Sequence, residues 1–268
     1  MNLHPAHCCV HTHSVFCDGK DTLETMAAAA CAAGVRYFGA SSHSPTPVVA
    51  DVDFVMPADS VDYRTAVLAL RERYEGRMEV LLGLEWDSLS PVDPYGYDYW
   101  IGSVHYQLYD DGRYYPSDRA MAEHLCEDPL SVVERYYTQV ARVAAMKPTI
   151  LGHLDLITRL NEDNCLFDEG CARYCNAALE ALHTADPKET LLEINTGGMC
   201  RGYRRRPYPD QFLLREWRAM GGEIILTSDA HRAEDLIWGY DAAAEVARAA
   251  GYTRSVILTR CGRVECEL

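Results

Sequence analysis

The feature that most limits the fold of this 268-residue chain is a repeated alternation of apolar strand segments with helical segments. Seven of these strand segments end in or beside a polar side chain of the kind that ligates metals or contacts substrates. Those side chains are His11, His43, Glu85, His105, His153, Asn195 and Asp229. Parallel strands joined by helices close into a barrel whose carboxyl ends share one rim. The pattern therefore predicts an α/β barrel with its polar groups gathered at one mouth.

The individual segments follow from apolar runs and from the residues that begin and end helices. After the first strand, which leads into His11, the predicted strands begin at Val35, Glu79, Tyr99, Thr149, Thr190, Glu223 and, at the end of the chain, Ser255. Residues 106–126 are polar and lack periodicity, which predicts a long loop. No linker-like change in composition interrupts the chain, and we expect a single domain over residues 1–268.

The net charge limits the partners of the protein. A formal charge of -15 opposes a broad grip on nucleic acid or on an anionic membrane, and it favours a small ligand. The first residues lack the pattern of a signal peptide and no apolar run reaches membrane-spanning length, so a cytoplasmic location is expected. The eleven cysteines are scattered without a Cys-x-x-Cys pair and are interpreted as reduced core residues.

His11-Thr-His13 is the first chemically informative motif. Side chains two residues apart on an extended segment point to the same side, so both imidazoles are able to share one metal ion. Taken alone, the motif is more often a pair of half-exposed histidines. Further along, Glu193 and Asn195 alternate with Leu192 and Ile194 and are predicted to face the mouth, either behind the metal ligands or in contact with substrate.

An ordered set of motifs resembles the PHP (polymerase and histidinol phosphatase) family over almost the whole chain. The matching segments are His11-Thr-His-Ser14, Asp18-Gly19, Ser42-His-Ser-Pro45, Gly83-Leu-Glu85, Ile101-Gly-Ser-Val-His105, Gly152-His-Leu-Asp-Leu-Ile157, Glu193-Ile-Asn-Thr196 and Ser228-Asp-Ala-His231. Within the family, the Gly-Ser-Val-His and Gly-His-Leu-Asp-Leu-Ile segments resemble the branch of monofunctional histidinol-phosphate phosphatases.

The resemblance implies a distorted (β/α)7 TIM-like barrel with three divalent transition-metal ions at the C-terminal rim. The first ion would bind His11, His13, Glu85 and Asp229; the second Glu85, His105 and His153; and the third Asp18, His43 and His231. Glu85 is the expected bridge between two ions. Glu85, Asp229 and His231 are also the residues predicted to be catalytic, and His and carboxylate donors leave Zn, Fe and Mn open.

The resemblance also suggests which residues contact substrate. A phosphate-binding arginine follows the Gly-His motif in the phosphatase branch, which makes Arg159 the first candidate, with Arg201 as the second. An ion pair of Arg159 with Glu162 or Asp163 at the surface is the alternative. His43 and Asn195 complete the predicted substrate contacts.

Two positions depart from the family pattern. Val10 stands where an acidic residue usually precedes the first His, and Ser42 stands where the second motif usually has Asp. Both positions are predicted to lie behind the ligands rather than to bind an ion. Asp155 is interpreted either as a hydrogen-bond partner of a ligand histidine or as a helix cap.

The predicted function is metal-dependent hydrolysis of a small phosphomonoester, and the resemblance implies L-histidinol phosphate as the substrate and a role in histidine biosynthesis. The alternatives are another PHP phosphoesterase that acts on nucleotides or oligonucleotides, an amidohydrolase-type enzyme that cleaves C–N bonds, and a non-catalytic binding module. Many amidohydrolases bridge two metals through a lysine at a strand end, whereas the only lysines here are Lys20, Lys147 and Lys188. The oligomeric state is left open.

Overall fold

A computed structural model describes residues 3–47, 61–109, 114–116 and 128–268. The parallel strands of the main sheet are β1 (Cys8–Cys9), β2 (Tyr37–Ala40), β3 (Glu79–Asp87), β4 (Tyr99–Ser103), β7 (Ile150–Leu151), β8 (Leu191–Asn195) and β9 (Glu223–Thr227). The helices are α1 (Leu23–Ala32), α2 (Val61–Arg73), α3 (Pro129–Ala145), α4 (Ala172–His183), α5 (Gly197–Cys200), α6 (Gln211–Ala219) and α7 (Tyr240–Ala249). Among these helices none is long and apolar enough to cross a membrane.

The main sheet is a seven-stranded, nearly closed barrel, as the sequence predicts. Its strand order is β1-β2-β3-β4-β7-β8-β9, and every neighbouring pair is parallel. Beyond β1 and β9, Thr12 and Ala230 form a parallel bridge in which the His13 amide donates to the Ala230 carbonyl at 2.8 Å. This bridge joins the two edges at the rim where the predicted ligands follow their strands.

The barrel interior below this rim is filled by apolar side chains and closed by Tyr99. A Cβ atom on Gly39 or Gly83 would lie 2.2 Å from atoms of the Tyr99 side chain, so both positions need glycine. The Tyr99 hydroxyl donates to the carbonyl of Val10. The polar cluster above it therefore stands on a dense apolar floor.

Two short antiparallel elements lie outside the main sheet. Strands β10 (Arg254–Thr259) and β11 (Gly262–Glu267) form a hairpin that packs against the base of the barrel interior. The sequence predicted β10 but not β11, whose side chains are mostly exposed and lack an apolar run. Strands β5 (Tyr106–Leu108) and β6 (Tyr114–Pro116) pair in a region predicted as loop. Residues 110–113 and 117–126 of that predicted loop lie outside the described residues.

Candidate metal centre

The nine residues predicted as metal ligands lie together at the C-terminal rim of the barrel. They are His11, His13, Asp18, His43, Glu85, His105, His153, Asp229 and His231. His11 and His13 lie on the extended segment after β1, with ring centroids 5.3 Å apart. Thr12 fixes this segment, because its amide donates to Ser41 Oγ at 3.0 Å and its carbonyl accepts from the Ser41 amide at 3.1 Å. The two imidazoles therefore point to the same side.

Glu85, near the end of β3, is the hub of the cluster. Its Oε2 atom lies 3.3 Å from His11 Nε2, 3.3 Å from His13 Nε2 and 3.0 Å from His43 Nδ1. Its Oε1 atom lies 3.2 Å from His105 Nε2, 3.0 Å from His153 Nε2 and 2.8 Å from Ser103 Oγ. One carboxylate oxygen thus faces each of two histidine groups, which is the arrangement of a carboxylate that bridges two cations.

The charge of Glu85 is maintained by its neighbours. Burial by itself would raise the pKa of Glu85, but the imidazoles of His11, His43 and His105 outweigh burial and hold the pKa well below its ordinary value. At His11, burial lowers the pKa, yet the carboxylates of Glu193, Glu85 and Asp229 outweigh burial and raise it well above its ordinary value. Glu85 is therefore an anion at neutral pH and available as a ligand.

Asp229 lies opposite Glu85, just after β9. Its Oδ1 atom is 3.1 Å from His13 Nε2 and 3.5 Å from His11 Nε2. Its backbone has a φ of 51°, a left-handed conformation that Asp tolerates better than most residues. The next residue, Ala230, holds this turn in place through the bridge to Thr12.

Asp18 forms the outer part of the cluster. Its Oδ2 atom lies 3.0 Å from His231 Nε2, and its Oδ1 atom lies 3.5 Å from both His13 Nδ1 and His43 Nε2. The following residue is necessarily glycine, because a Cβ on Gly19 would lie 2.4 Å from the Ser14 nitrogen.

The residues fall into four overlapping groups, and within each group the donor atoms lie within 4.8 Å of one another. The groups are His13-Asp18-His43-His231, His11-His13-Glu85, His11-His153-Asp229 and His43-Glu85-His105. His11, His13, His43 and Glu85 each belong to two of these groups, and the rings of His13 and His43 lie only 4.4 Å apart. All nine donors are in reach of a shared site, and the division among ions stays a prediction.

The cluster fits divalent ions. Four buried atoms that could bind a metal converge on the cluster and have no hydrogen-bond partner in the part of the chain that the structure describes. They are His11 Nε2, His13 Nε2, Asp18 Oδ1 and Glu85 Oε2. A buried polar atom without a partner costs about 1–3 kcal/mol, so such atoms gathered at one point indicate a ligand. Imidazole and carboxylate donors together are typical of transition-metal sites.

Glu193, on β8, lies directly behind the cluster. Its Oε1 atom is 2.5 Å from His11 Nδ1 and accepts a hydrogen bond from Thr227 Oγ1 at 2.7 Å. Its Oε2 atom accepts from the His153 amide at 2.6 Å and from Asn195 Nδ2 at 3.0 Å. Glu193 therefore contacts two predicted ligands, His11 and His153, from behind the cluster, and a contact with substrate stays a prediction.

Asn195 is fully buried beside Glu193. Its Nδ2 donates to Glu193, and its Oδ1 accepts from the Gly197 amide at 2.8 Å. Both ends of the amide are therefore bonded within the protein, and substrate contact by Asn195 stays a prediction.

Replacing Glu193 with Gln should lower kcat/KM by about 10- to 100-fold and lower the metal content, because the carboxylate orients His11 and strengthens it as a ligand. Steady-state kinetics and elemental analysis of the same sample provide the measurement. Thr227→Val is the matched control, since it removes one hydrogen bond to Glu193 and keeps the contact with His11. Equal losses in both variants would contradict a specific role for the His11 contact.

Two further partners of the ligands were missed in the sequence. Asp87 Oδ2 accepts from the His105 amide at 2.9 Å and lies 3.1 Å from His105 Nδ1. Because Asp87 is two residues after Glu85 on one strand, the strand period was the available signal. Cys17 Sγ lies 3.3 Å from His13 Nδ1. Burial raises the pKa of Cys17, but His13 outweighs burial and lowers it to about 7.

The structure places Arg201 beside the cluster. Its Nη2 atom donates to Asp229 Oδ2 at 2.7 Å, and its Nη1 atom donates to the Asp229 carbonyl at 3.0 Å. Nη1 is also 3.2 Å from His231 Nδ1. The second candidate for phosphate binding therefore contacts two predicted ligands directly.

Arg159, the first candidate, lies in the loop after β7. Its guanidinium carbon is 4.0 Å from the centroid of the Tyr203 ring, which is a cation–π stack. Glu162 and Asp163, the surface partners considered for Arg159, form ion pairs with Arg204 and Arg205.

The remaining predicted positions lie behind the cluster. Val10 packs in the apolar barrel interior, and the Ser42 carbonyl accepts from the Glu85 amide at 3.0 Å. Within the described residues, the Asp155 side chain does not cap its helical turn, and its Oδ1 atom has no hydrogen-bond partner. Its Oδ2 atom accepts from the Asp210 amide at 2.8 Å.

A parallel (β/α) barrel that gathers histidines and carboxylates at its C-terminal rim defines a barrel metalloprotein. The PHP domain model matches residues 7–197. The chain belongs to the PHP domain family.

Relatives and solved structures cover nearly the full chain. The histidinol-phosphatase of Bacillus subtilis (strain 168) is 26% identical over 263 residues, covering 87% of this chain and 96% of the relative. A probable histidinol-phosphatase of Deinococcus radiodurans is 27% identical over 262 residues, covering 92% of this chain and 95% of the relative.

The fold is likewise similar to that of solved proteins. The crystal structure of histidinol phosphate phosphatase from Lactococcus lactis, complexed with zinc, L-histidinol and phosphate, has a TM-score of 0.71 at 20% identity, with 96% of this chain and 98% of that chain covered. The crystal structure of a putative histidinol phosphatase from Listeria monocytogenes has a TM-score of 0.69 at 17% identity, with 87% of this chain and 98% of that chain covered.

Proposed function

We propose that this protein is a metal-dependent phosphomonoesterase that hydrolyses L-histidinol phosphate to L-histidinol and phosphate in histidine biosynthesis, as one domain. The observation that carries the proposal is the buried Glu85 carboxylate, with a histidine group on each oxygen, at the rim of a PHP barrel. The choice of substrate rests on the two relatives named as histidinol-phosphatases and on the Lactococcus lactis protein that was crystallised with L-histidinol and phosphate.

Three divalent ions are proposed, held by the sets that the family resemblance implies. Glu85 would join the first ion, on His11, His13 and Asp229, to the second, on His105 and His153. The third would lie on Asp18, His43 and His231. The donors suit Zn, Fe and Mn alike, and the zinc in the Lactococcus lactis structure makes zinc the first metal to test.

The residues around the cluster suit a phosphomonoester dianion. When bound, divalent ions lower the pKa of a coordinated water and offset charge on the phosphoryl oxygens. Glu85, Glu193 and Asp229 keep the imidazoles oriented and the cluster buried. Arg201 contributes a planar guanidinium at the edge of the cluster, a geometry that suits two phosphate oxygens at once. Arg201 thus supplies a cation next to the cluster in a chain with a net charge of -15.

The main alternatives are less well supported. All three lysines are exposed, so none lies in the buried position that a bridging lysine of an amidohydrolase-type enzyme would need. An oligonucleotide substrate would meet long-range repulsion from the acidic surface. A non-catalytic binding module has no need for nine convergent donors, six of them buried.

Steady-state kinetics on L-histidinol phosphate, other phosphomonoesters, oligonucleotides and amides would test the function. We expect the largest kcat/KM for L-histidinol phosphate, at or above about 10⁴ M⁻¹ s⁻¹. Elemental analysis of the same sample should find more than one equivalent of transition metal per chain. A higher kcat/KM for oligonucleotides or amides, with metals present, would overturn the proposal.

A further inference from the structure

Tyr208 is a buried tyrosine in the loop after β8 that the predicted function does not use. It is 2% exposed, and its hydroxyl has no hydrogen-bond partner in residues 3–47, 61–109, 114–116 and 128–268. Its backbone is fixed at the end of β8, because its amide donates to the Asn195 carbonyl at 2.9 Å and its carbonyl accepts from the Asn195 amide at 2.8 Å. A rigidly held, unpartnered donor of this kind calls for a ligand or a water.

The Tyr208 hydroxyl lies on a glycine whose chain neighbour contacts the edge of the candidate metal centre. A Cβ on Gly198 would be 2.7 Å from that hydroxyl, so the hydroxyl packs directly on Gly198. A Cβ on the preceding Gly197 would be 2.7 Å from Arg201 Nη2 and 2.9 Å from Asp229 Oδ2. Gly197 and Gly198 are adjacent in the chain. Gly198 therefore contacts the Tyr208 hydroxyl, and Gly197 contacts Arg201 and Asp229.

The surroundings of the hydroxyl are rich in positive charge. Burial and the nearby Asp155 carboxylate raise the pKa of Tyr208 above its ordinary value, and the guanidinium groups of Arg159, Arg201 and Arg204 oppose this rise only in part. Two of these arginines are the candidates for phosphate binding. A neutral O–H donor placed among cations favours an anionic acceptor.

We propose that the Tyr208 hydroxyl donates a hydrogen bond to the phosphoryl group of the substrate, in one pocket with Arg159 and Arg201. This inference rests on the proposed function. The competing partner is Asp155, whose Oδ1 atom lacks a hydrogen-bond partner in the described part of the chain. The arginine-rich surroundings favour phosphate, because a phosphoryl oxygen would satisfy both the hydroxyl and the guanidinium groups.

The test is inorganic phosphate binding to the metal-loaded protein, measured by calorimetry in wild type and in Tyr208→Phe. We expect the Kd for phosphate to rise about tenfold, and kcat/KM for L-histidinol phosphate to fall about 10- to 100-fold, with metal content and Tm unchanged. The variant keeps the ring that packs on Gly198 and removes only an unpartnered hydroxyl, so it should fold.

Tyr137→Phe is the matched control. Tyr137 is another fully buried tyrosine whose pKa is raised by burial, by Tyr174 and by Asp155, with no arginine among these causes. The Tyr137→Phe variant should bind inorganic phosphate with the same Kd as wild type. Equal weakening in both variants would overturn the proposal, because the effect would then come from the loss of any buried hydroxyl near Asp155.

An unchanged phosphate Kd in Tyr208→Phe would also overturn the proposal, and a lower Tm in that case would assign the hydroxyl to Asp155. Failure of the proposed function gives a different result. If wild type binds inorganic phosphate but does not hydrolyse L-histidinol phosphate, the substrate is wrong, while the comparison of phosphate affinities still tests Tyr208.

Discussion

Glu85→Gln is expected to bring activity close to that of a chelated wild-type sample, with a loss in kcat/KM on the order of 10³- to 10⁴-fold. The reason is that both carboxylate oxygens face histidine groups, at 3.0–3.3 Å from five imidazoles, so one substitution weakens two sites. Gln keeps the size of the side chain and removes its charge. Kinetics and metal content should be measured on the same preparation, before and after treatment with a chelator.

His43→Ala is the comparison for a terminal ligand. His43 contacts Glu85 at 3.0 Å and Asp18 at 3.5 Å, but it does not stand between two histidine groups as Glu85 does. A loss of about 10- to 100-fold is expected there, with less metal lost than in Glu85→Gln. Equal, mild losses in the two variants would contradict the bridging role. Full activity in a metal-free wild-type sample would contradict the metal-dependent mechanism itself.

The second large effect concerns the two arginines. Arg159→Ala and Arg201→Ala should each raise the free energy of the transition state by about 2–4 kcal/mol, measured as a fall in kcat/KM. Metal content separates their roles. Arg201→Ala should also lose metal, because Arg201 holds Asp229 through two hydrogen bonds, whereas Arg159→Ala should keep its metals and its Tm.

Two further variants sharpen this comparison. Arg159→Lys should recover only part of the activity, since a point charge does not reproduce the planar fork of guanidinium. Arg205→Ala is the control on the same loop as Arg201, because Arg205 is 75% exposed and pairs with Asp163 at 3.0 Å. Its kinetics should match wild type. Wild-type kinetics in Arg159→Ala, with metals bound, would remove Arg159 from the site and leave Arg201 as the phosphate-binding residue.

The barrel, and the gathering of the nine predicted ligands at its rim, were predictable from the motifs and from the family resemblance. In a parallel barrel every strand ends at the same rim, so a polar residue at the end of each strand is placed near the others before any contact is known. His153 and Glu85 are 68 residues apart in sequence, yet their strand-end positions were sufficient to predict that they lie at one rim, where the structure places them 3.0 Å apart. On β8, the alternation of side chains along a strand was sufficient to predict that Glu193 faces the rim cluster and that its apolar neighbours do not.

The position of a residue at a strand end says nothing about side chains in the loops. Only the tertiary structure determined where the loop residues lie. Arg201 contacts Asp229, and Arg159 stacks on Tyr203. These positions depend on contacts between the loop after β7 and the loop after β8. Arg204 Nη1 makes them by donating to the Thr158 carbonyl and to Glu169 Oε1, both at 2.8 Å. Loop conformation depends on such long-range contacts, which no local pattern encodes. The amino-acid order alone was thus enough to place the ligands on one rim, because regular strands have a set direction and period, while the positions of the arginines and of Tyr208 required the folded loops.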